Sequence, residues 1–373
     1  MKKKKVLFFI YQLGAGGAAR TILNIVNNMD REKFTPILVT LDYNGSYESY
    51  LNEDVTFFKL KTKRLRSAIL PLAKVIRRQR PDIVFSTIPN YNTIAILATV
   101  LSGTRAKNVV REAAYLGGTF TSDLKLRLYG LLYRRATRVI ALSHGVKDNI
   151  VNRYKVKRDK ITVIYNPVDL DTIEEMIDRA PLPDEHEHIF NTEEKVLITA
   201  GRMVNDKDHH TLLRAFARVN EKINARLVIL GEGALEQELK QLADQLGIAD
   251  KVFFLGFQTN PYLYFHHADA FVLSSKREGF GHVLAEALAS GTPVISTNCR
   301  PGAVEVLDDG EYGEMCEVGN DKDMAEKITS ILTLQEEDRA AIVRKGYKRA
   351  NDFHAGKIAG EYEAMFTETI EQK

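Results

Sequence analysis

The sequence predicts an α/β protein with two Rossmann-like, doubly wound domains, each a parallel sheet covered on both faces by helices. Near-continuous apolar runs of strand length alternate with amphipathic segments of helical period. The alternation pauses at Asn166-Pro167 and restarts at Lys195. At 373 residues, the chain is long enough for two separate cores. Two such domains in one chain are expected to face a common cleft.

The elements follow this alternation in order. Seven strands are predicted before the pause, at residues 6–10, 35–41, 55–60, 82–87, 107–112, 138–143 and 161–168. Five more are predicted after it, at 195–201, 226–231, 251–257, 270–275 and 292–297. Between the strands lie predicted helices, and the last helical stretch, 340–369, is broken near 352–356. The intervening segment 169–194 is acidic and proline-containing, which predicts a linker with one short helix.

Composition indicates an ordinary globular protein, with 45% hydrophobic and 27% charged residues. The two cysteines exclude a disulfide framework and a Cys-rich metal site, and a reducing compartment fits them. The basic start is followed by only five apolar residues, too few for a signal peptide, and no run approaches the ~18 residues of a membrane span. We therefore expect a cytoplasmic protein.

Charge is divided unevenly along the chain. Residues 1–170 contain 30 Lys/Arg against 12 Asp/Glu, a balance of +18, and residues 171–373 contain 22 against 37, a balance of −15. Basic residues flank apolar stripes at residues 63–80 and 124–138, and such segments can lie on an anionic membrane surface. The alternative is core packing of the stripes beneath a solvated basic surface, and that use of the stripes is the one we expect. No nucleic-acid partner is expected.

The stretch from Ser274 to Pro293 carries the strongest chemical signal. A buried strand is predicted just before it, and a helix is predicted after Gly281. Gly279 and Gly281 let the backbone approach a ligand, and the amides of a helix start suit phosphate. Glu278 precedes the helix and Glu286 lies inside it, eight positions later. Either acid alone is commonly a solvated charge, but the framed pair is much more specific.

This stretch resembles the E-x7-E signature of retaining glycosyltransferases with the GT-B architecture, family 4. The resemblance implies that Glu278 lies against the donor sugar and that Glu286 holds the nucleotide ribose. It implies an acceptor-side domain at residues 1–168 and a nucleotide-sugar domain at 195–355. It also implies that a final helix, 356–373, crosses back to the first domain.

Two cations follow the first strand of the second domain. Arg202 and Lys207, five residues apart, could clamp a diphosphate at the mouth of a cleft. The pattern resembles the family's G-R-x4-K element, whose side chains bind the donor diphosphate. A polar surface loop is the alternative. We therefore predict Glu278, Arg202 and Lys207 as the catalytic set.

The glycine loop from Gly14 to Ala19 matches G-x-G-x-x-A, and Asp42 stands at the end of the next strand. Taken alone, this pattern would indicate an NAD-dependent enzyme. The loop also resembles the family's G-G-A-E-R element over the donor phosphate, so Gly16 and Gly17 are predicted donor contacts. Ala19 stands where the family usually has Glu, which leaves that position's role open.

Further donor contacts are predicted around the same strand edge and helix, at Gly256, Phe257, Gly279, Phe280, Gly281, Val283, Leu284 and Glu286. Arg111-Glu112 ends a first-domain strand, and we expect it to touch donor or acceptor. Several D-x-D triplets and adjacent His pairs read as structural, which predicts a metal-independent enzyme without a cofactor.

The expected function is retaining transfer of a hexose or N-acetylhexosamine from a nucleotide-diphosphate sugar, with UDP suggested by the resemblance. The acceptor is expected to be a glycan, such as a polyprenyl-diphosphate glycan, at the cytoplasmic membrane face. Three alternatives remain: a sugar-nucleotide epimerase of the same fold, an NAD-dependent oxidoreductase using the glycine loop, and an inactive membrane-binding module.

Overall fold

The computed structural model describes residues 3–14, 16–179 and 181–372. The chain divides into two compact units, Met1–Val168 with His354–Lys373, and Asp169–Phe353. Each unit contains one parallel sheet with helices on it, so the predicted α/β class with two doubly wound sheets is confirmed. No helix in the described part of the chain combines the length and apolar character needed to cross a bilayer.

The first unit is built on a seven-stranded sheet. Its elements are β1 (Lys4–Phe9), α1 (Gly17–Asn28), β2 (Phe34–Thr40), β3 (Thr56–Lys59), α2 (Ile69–Gln79), β4 (Ile83–Thr87), α3 (Pro89–Ser102), β5 (Lys107–Glu112), α4 (Phe120–Tyr133), β6 (Arg138–Ala141), α5 (His144–Asn149) and β7 (Ile161–Val163). The strand order is β3-β2-β1-β4-β5-β6-β7. Both faces of β1 are covered, since Val6 and Phe8 join the core beneath α1 while Leu7 and Phe9 join the core beneath α2 and α3.

The second unit is built on a six-stranded sheet. Its elements are α6 (Leu170–Asp178), α7 (Asp184–Phe190), β8 (Lys195–Ala200), α8 (His209–Asn220), β9 (Ala225–Leu230), α9 (Glu236–Gln245), β10 (Val252–Gly256), α10 (Pro261–His266), β11 (Ala270–Leu273), α11 (His282–Ala289), β12 (Val294–Thr297), α12 (Gly302–Val306), β13 (Glu314–Cys316), α13 (Asp321–Leu332) and α14 (Glu336–Asp352). The strand order is β10-β9-β8-β11-β12-β13.

The last helix, α15 (Ala355–Glu371), belongs to the first unit. It packs Tyr362 and Phe366 against Phe85 of β4, with ring centroids 5.8 and 5.9 Å apart. The predicted break in the C-terminal helical stretch is confirmed, because α14 ends at Asp352 and α15 begins at Ala355.

Two details differ from the prediction. The segment 169–194 contains two helices, α6 and α7, where one was predicted, and it clusters with the second unit. The strand β13 was not predicted, because its three residues are too few to show an alternating or continuous apolar pattern. It pairs with β12 alone and forms the edge of the sheet.

Candidate active site

The second sheet reverses its direction of growth between β8 and β11. These strands are neighbours, but β8 is followed by β9 on one side and β11 by β12 on the other. Such a reversal opens a crevice at the carboxyl ends of the strands, where ligands of doubly wound sheets bind. Arg202 and Lys207 follow β8, and Glu278 follows β11. The three residues predicted as catalytic therefore emerge on the two sides of one crevice.

Lys207 and Glu278 meet across this crevice. The Lys207 Nζ lies 2.5 Å from Glu278 Oε1, and the side chains are 22% and 15% exposed. Ser275 Oγ donates to the same carboxylate oxygen at 2.8 Å, and the Ser275 carbonyl accepts from Thr297 Oγ1 at 2.6 Å. The carboxylate is thus held by the β11 and β12 ends, while both charges remain reachable by a ligand.

Arg202 supplies a second cation at the same edge. Its side chain is exposed, and that side chain makes no ion pair or hydrogen bond with any residue that the structure describes. An arginine in this state has all its donors available for a planar or tetrahedral anion. The two predicted cations therefore differ, since Lys207 is already paired with an acid and Arg202 is not.

The turn before α11 is shaped by two glycines. Gly281, the residue before α11, lies in the left-handed region with φ of 82°, and it provides no side-chain cap for the start of the helix. Gly302 lies against the turn, because a Cβ there would stand 2.4 Å from the Phe280 Cα. The Gly302 N–H donates to the Glu278 carbonyl at 3.1 Å. The start of α12 therefore supports the turn that carries Glu278.

The turn and the first residues of α11 contain three further predicted donor contacts, at Phe280, Val283 and Leu284. The Phe280 side chain is buried and meets Phe353 edge to face, with ring centroids 5.1 Å apart. The Leu284 side chain is buried too, and its N–H donates to the Gly281 carbonyl at 2.9 Å. Phe280 therefore offers its backbone alone, and the Leu284 amide would have to leave its present acceptor to reach a phosphate. Val283 is half-buried in the same turn of helix.

Glu286 projects from α11 and is held by its neighbours. The Tyr262 hydroxyl donates to Glu286 Oε1 at 3.1 Å, and His282 Nε2 lies 3.4 Å from the same oxygen. The carboxylate is 13% exposed, which leaves it accessible in a fixed orientation. The sequence did not indicate Tyr262, because nothing in the spacing of α10 relates it to an acid 24 positions later. Ser275, three residues before Glu278, lay within the predicted stretch but carried no signal of its own.

The remaining strand ends form the other side of the crevice. The Gly231 N–H donates to the Gly256 carbonyl at 2.7 Å, and a Cβ on Gly231 would stand 2.2 Å from the Gly201 carbonyl oxygen. Glycine thus lets the ends of β8, β9 and β10 approach one another closely. Phe257, which follows Gly256, is 46% exposed at this edge. The predicted donor contacts Gly256 and Phe257 are therefore placed at the carboxyl edge of the sheet.

The glycine loop of the first unit lies at that unit's own reversal, between β1 and β4. A Cβ at Gly16 or Gly17 would have no heavy atom within 4 Å in the described structure, so these glycines border open space. Ala15 of the same loop lies outside the described residues. Ala19 is buried in the core beneath α1, so the position where the family usually has Glu is turned inward here.

Arg111 and Glu112 differ from their predicted role. Both side chains are 0% exposed, so no ligand reaches them in this structure. Arg111 donates to Thr87 Oγ1 at 3.1 Å and to Asn166 Oδ1, while Glu112 accepts from Asn92, Tyr133 and Tyr154. Burial raises the pKa of Glu112 to about 7, although these hydrogen bonds oppose the rise. The pair forms an internal polar network rather than a ligand contact.

Acidic, histidine and cysteine side chains are the usual protein ligands of a metal ion. Within residues 3–14, 16–179 and 181–372, no group of three or more His, Cys, Asp or Glu side chains is arranged to hold a metal ion.

Comparison with known proteins identifies relatives across both units. The model for Glycosyltransferase Family 4 matches residues 15–172, and the model for Glycosyl transferases group 1 matches residues 183–349. The chain is 32% identical to the N-acetylgalactosamine-N,N'-diacetylbacillosaminyl-diphospho-undecaprenol 4-alpha-N-acetylgalactosaminyltransferase of Campylobacter jejuni, over 95% of this chain and 97% of that protein. It is 29% identical to the N-acetyl-alpha-D-glucosaminyl L-malate synthase of Bacillus anthracis, over 80% and 78%.

The crystal structure of Anabaena HepE in complex with UDP has a TM-score of 0.81 to this chain, at 20% identity, covering 98% of this chain and 100% of that one. That likeness concerns the fold. The 32% identity with the Campylobacter enzyme extends over nearly the full length of both chains and shows the family. It favours a transferase over the epimerase and oxidoreductase alternatives. The chain belongs to the family 4 glycosyltransferases, which have the GT-B architecture.

Proposed function

We propose that this glycosyltransferase is a retaining, metal-independent enzyme that uses a UDP-sugar, with a hexose or N-acetylhexosamine as the transferred group. The proposed acceptor is a lipid-linked or cell-surface glycan at the cytoplasmic membrane face. The name of the Campylobacter relative, a 4-alpha-N-acetylgalactosaminyltransferase acting on a diphospho-undecaprenol glycan, supports the acceptor class. The UDP and UDP-glucose complexes of Anabaena HepE support the donor class.

The Lys207–Glu278 pair carries the proposal. A diphosphate that enters the crevice competes with Glu278 for the Lys207 ammonium and is met by the free Arg202 guanidinium. The backbone of the turn at Gly281 adds N–H donors at the start of α11. These groups stabilise the charge that develops as the bond between the sugar and the diphosphate breaks. Glu278, released from Lys207, then faces the positive charge that builds at the sugar carbon.

The bonding changes balance without a protein base. The bond between the anomeric carbon and the diphosphate oxygen breaks, and the acceptor hydroxyl oxygen bonds to that carbon on the same face. The proton of the acceptor hydroxyl passes to the departing diphosphate oxygen. The configuration at the anomeric carbon is retained, and nothing is oxidised or reduced.

Glu286 is proposed to accept hydrogen bonds from the ribose hydroxyls, in the orientation set by Tyr262. Phe257, exposed at the neighbouring strand end, offers a ring on which the base can stack. Gly16 and Gly17 border open space in the first unit and are proposed as further donor contacts through their backbone.

The test is transfer or donor hydrolysis with a panel of UDP-, GDP- and ADP-sugars, combined with a thermal-shift measurement for each. Lys207→Ala and Glu278→Ala should each reduce turnover by at least about a hundredfold, the scale of losing a transition-state contact. The matched control is Lys240→Ala, which removes a Lys–Glu ion pair of 2.7 Å elsewhere in the same unit. If both site variants keep the activity of the control, the proposed role of the pair is wrong.

A further inference from the structure

Large apolar side chains are exposed together on one helical layer of the first unit. This layer, named here the α2–α4 layer, consists of α2, α3 and α4, which pack side by side in that order. Its outward apolar residues are each more than a third exposed, and they are Leu70, Leu97, Val100, Leu101, Phe120, Leu124, Leu128 and Leu131. Phe120 is the most exposed of them, at 85%. Large apolar side chains exposed on three adjoining helices indicate an interaction surface.

The geometry of α4 shows that the exposure is organised. At about 100° per residue, Phe120, Leu124, Leu128 and Leu131 fall within an arc of about 80°. Leu126 and Tyr133 lie on the opposite side and are buried. The helix therefore presents a complete apolar row to the outside while a smaller face holds it to the unit. The stripe of α2 behaves as expected for core packing, because Leu72 and Ile76 are buried, but the stripe of α4 does not.

The charges around this apolar row have one sign. Lys125 and Arg127 flank it on α4, Lys74, Arg77 and Arg78 lie on α2, and Arg64 and Arg66 precede α2. Asp123 is the single acid in the sequence of the three helices, and it is neutralised by Arg153 at 2.6 Å. An apolar row flanked by basic side chains is complemented by a partner whose apolar interior lies beneath an anionic surface. An anionic lipid bilayer has that layered chemistry.

We propose that the α2–α4 layer is the surface on which this enzyme rests against an anionic bilayer, with α4 lying in the headgroup region. The leucines of α4 and the ring of Phe120 enter the acyl boundary, while the basic border contacts lipid phosphates. A groove of about 720 Å³ opens between Arg64, Arg66 and Tyr129 and gives such phosphates a recess beside the apolar row. The inference rests on the membrane location in the proposed function, and it adds the element that inserts.

The experiment uses the full chain with sedimenting vesicles of phosphatidylcholine and phosphatidylglycerol at a ratio of about 7:3, a composition that gives the surface a negative potential. The variant is Leu124→Ser/Leu128→Ser, which changes two exposed side chains and leaves the buried face of α4 intact. The control is Val318→Ser, an exposed apolar residue of the second unit. We expect the double variant to lose at least about tenfold in vesicle partitioning and the control to match wild type. Binding of wild type should weaken between about 0.05 and 0.5 M salt, because the basic border is screened.

Circular dichroism and the thermal midpoint should be unchanged in the double variant, and its hydrolysis of donor sugar without vesicles should equal wild type. Partitioning of the double variant at the wild-type level would overturn the inference. Absence of wild-type binding to anionic vesicles would also overturn it. A wild-type dimer that dissociates in the double variant would overturn it too, because the face would then bind a second copy of the chain. Absence of donor hydrolysis and transfer in every protein would instead reject the proposed function, which separates the two failures.

Discussion

Whether Glu112 contacts a ligand or serves a structural role can be tested through the pH dependence of stability. The structure encloses its carboxyl group completely, and the hydroxyl of Tyr154 donates to it at 3.2 Å and the amide of Asn92 at 3.0 Å. The proposed perturbation is Glu112→Gln, which preserves the shape and most of the hydrogen bonds but removes the titrating proton. If the group is structural, the variant changes how stability depends on pH and leaves catalysis alone.

The magnitude follows from the pKa. Burial raises the pKa of Glu112 from 4.5 to about 7, so the folded state holds the proton more tightly than the unfolded chain does. The resulting stabilisation is complete below pH 4.5 and is lost as pH rises towards 7. A rise of this size corresponds to about 3 kcal/mol between those limits. The amide that replaces the carboxyl group in Glu112→Gln cannot titrate, so the variant lacks this slope.

The assay is urea unfolding of wild type and Glu112→Gln at about pH 4.5, 5.5, 6.5 and 8, which spans the two pKa values, followed by circular dichroism. The difference in unfolding free energy between the two proteins cancels every other titrating group. We expect that difference to move in favour of the variant by about 3 kcal/mol across this range. A difference that is flat with pH would refute the reasoning. If the stability of the variant depends on pH as that of wild type does, and its turnover falls about a hundredfold, Glu112 is instead the ligand contact that its sequence position suggested.

Three further predictions concern the second unit. Tyr262→Phe removes a 3.1 Å hydrogen bond to Glu286 and should raise the Kd of a UDP-sugar about fivefold by titration calorimetry, with Kd unchanged if Glu286 does not touch the donor. Gly302→Ala places a Cβ 2.4 Å from the Phe280 Cα, so it should lower both the thermal midpoint and donor affinity, and an unchanged midpoint would contradict the contact. Burial raises the pKa of Cys299 to about 11, so this thiol should resist iodoacetamide at about pH 8 until urea unfolds the chain; rapid labelling of the folded protein would contradict it.

Sequence patterns predicted the secondary structure and the strand ends at which site residues lie. They were less reliable for burial, which depends on elements distant in the sequence. Lys207 and Glu278 are 71 positions apart, yet their meeting was predictable because both follow strands whose carboxyl ends share an edge. The same reasoning placed Arg111-Glu112 at an open edge, but Tyr133 and Tyr154 from later elements cover that position. No pattern within β5 carries that information.

The leucines of α4 also show that periodicity does not determine whether a helix face is buried or exposed. Their spacing predicted correctly that they share one face of a helix. Periodicity states which residues share a face, but only the packing of neighbouring helices states whether that face is covered. The row is outward here, because α4 is held to the unit through Leu126, Gly130 and Tyr133. A Cβ on Gly130 would stand 1.8 Å from the Tyr154 carbonyl oxygen, which shows how closely that inner face is packed.

The Lys207–Glu278 pair also explains how this crevice can hold two opposite charges side by side. Each charge would be costly to leave alone in a half-buried site, and the pair neutralises both. Because the side chains are still 22% and 15% exposed, the pair should contribute about 1 kcal/mol or less to stability. Under the proposed mechanism, by contrast, losing the pair should lower turnover by more than about a hundredfold, because the diphosphate replaces Glu278 as the partner of Lys207. A double-mutant cycle with Lys207→Met and Glu278→Gln, read by unfolding and by turnover, compares the two. Coupling of several kcal/mol in unfolding and none in turnover would make the pair a structural ion pair.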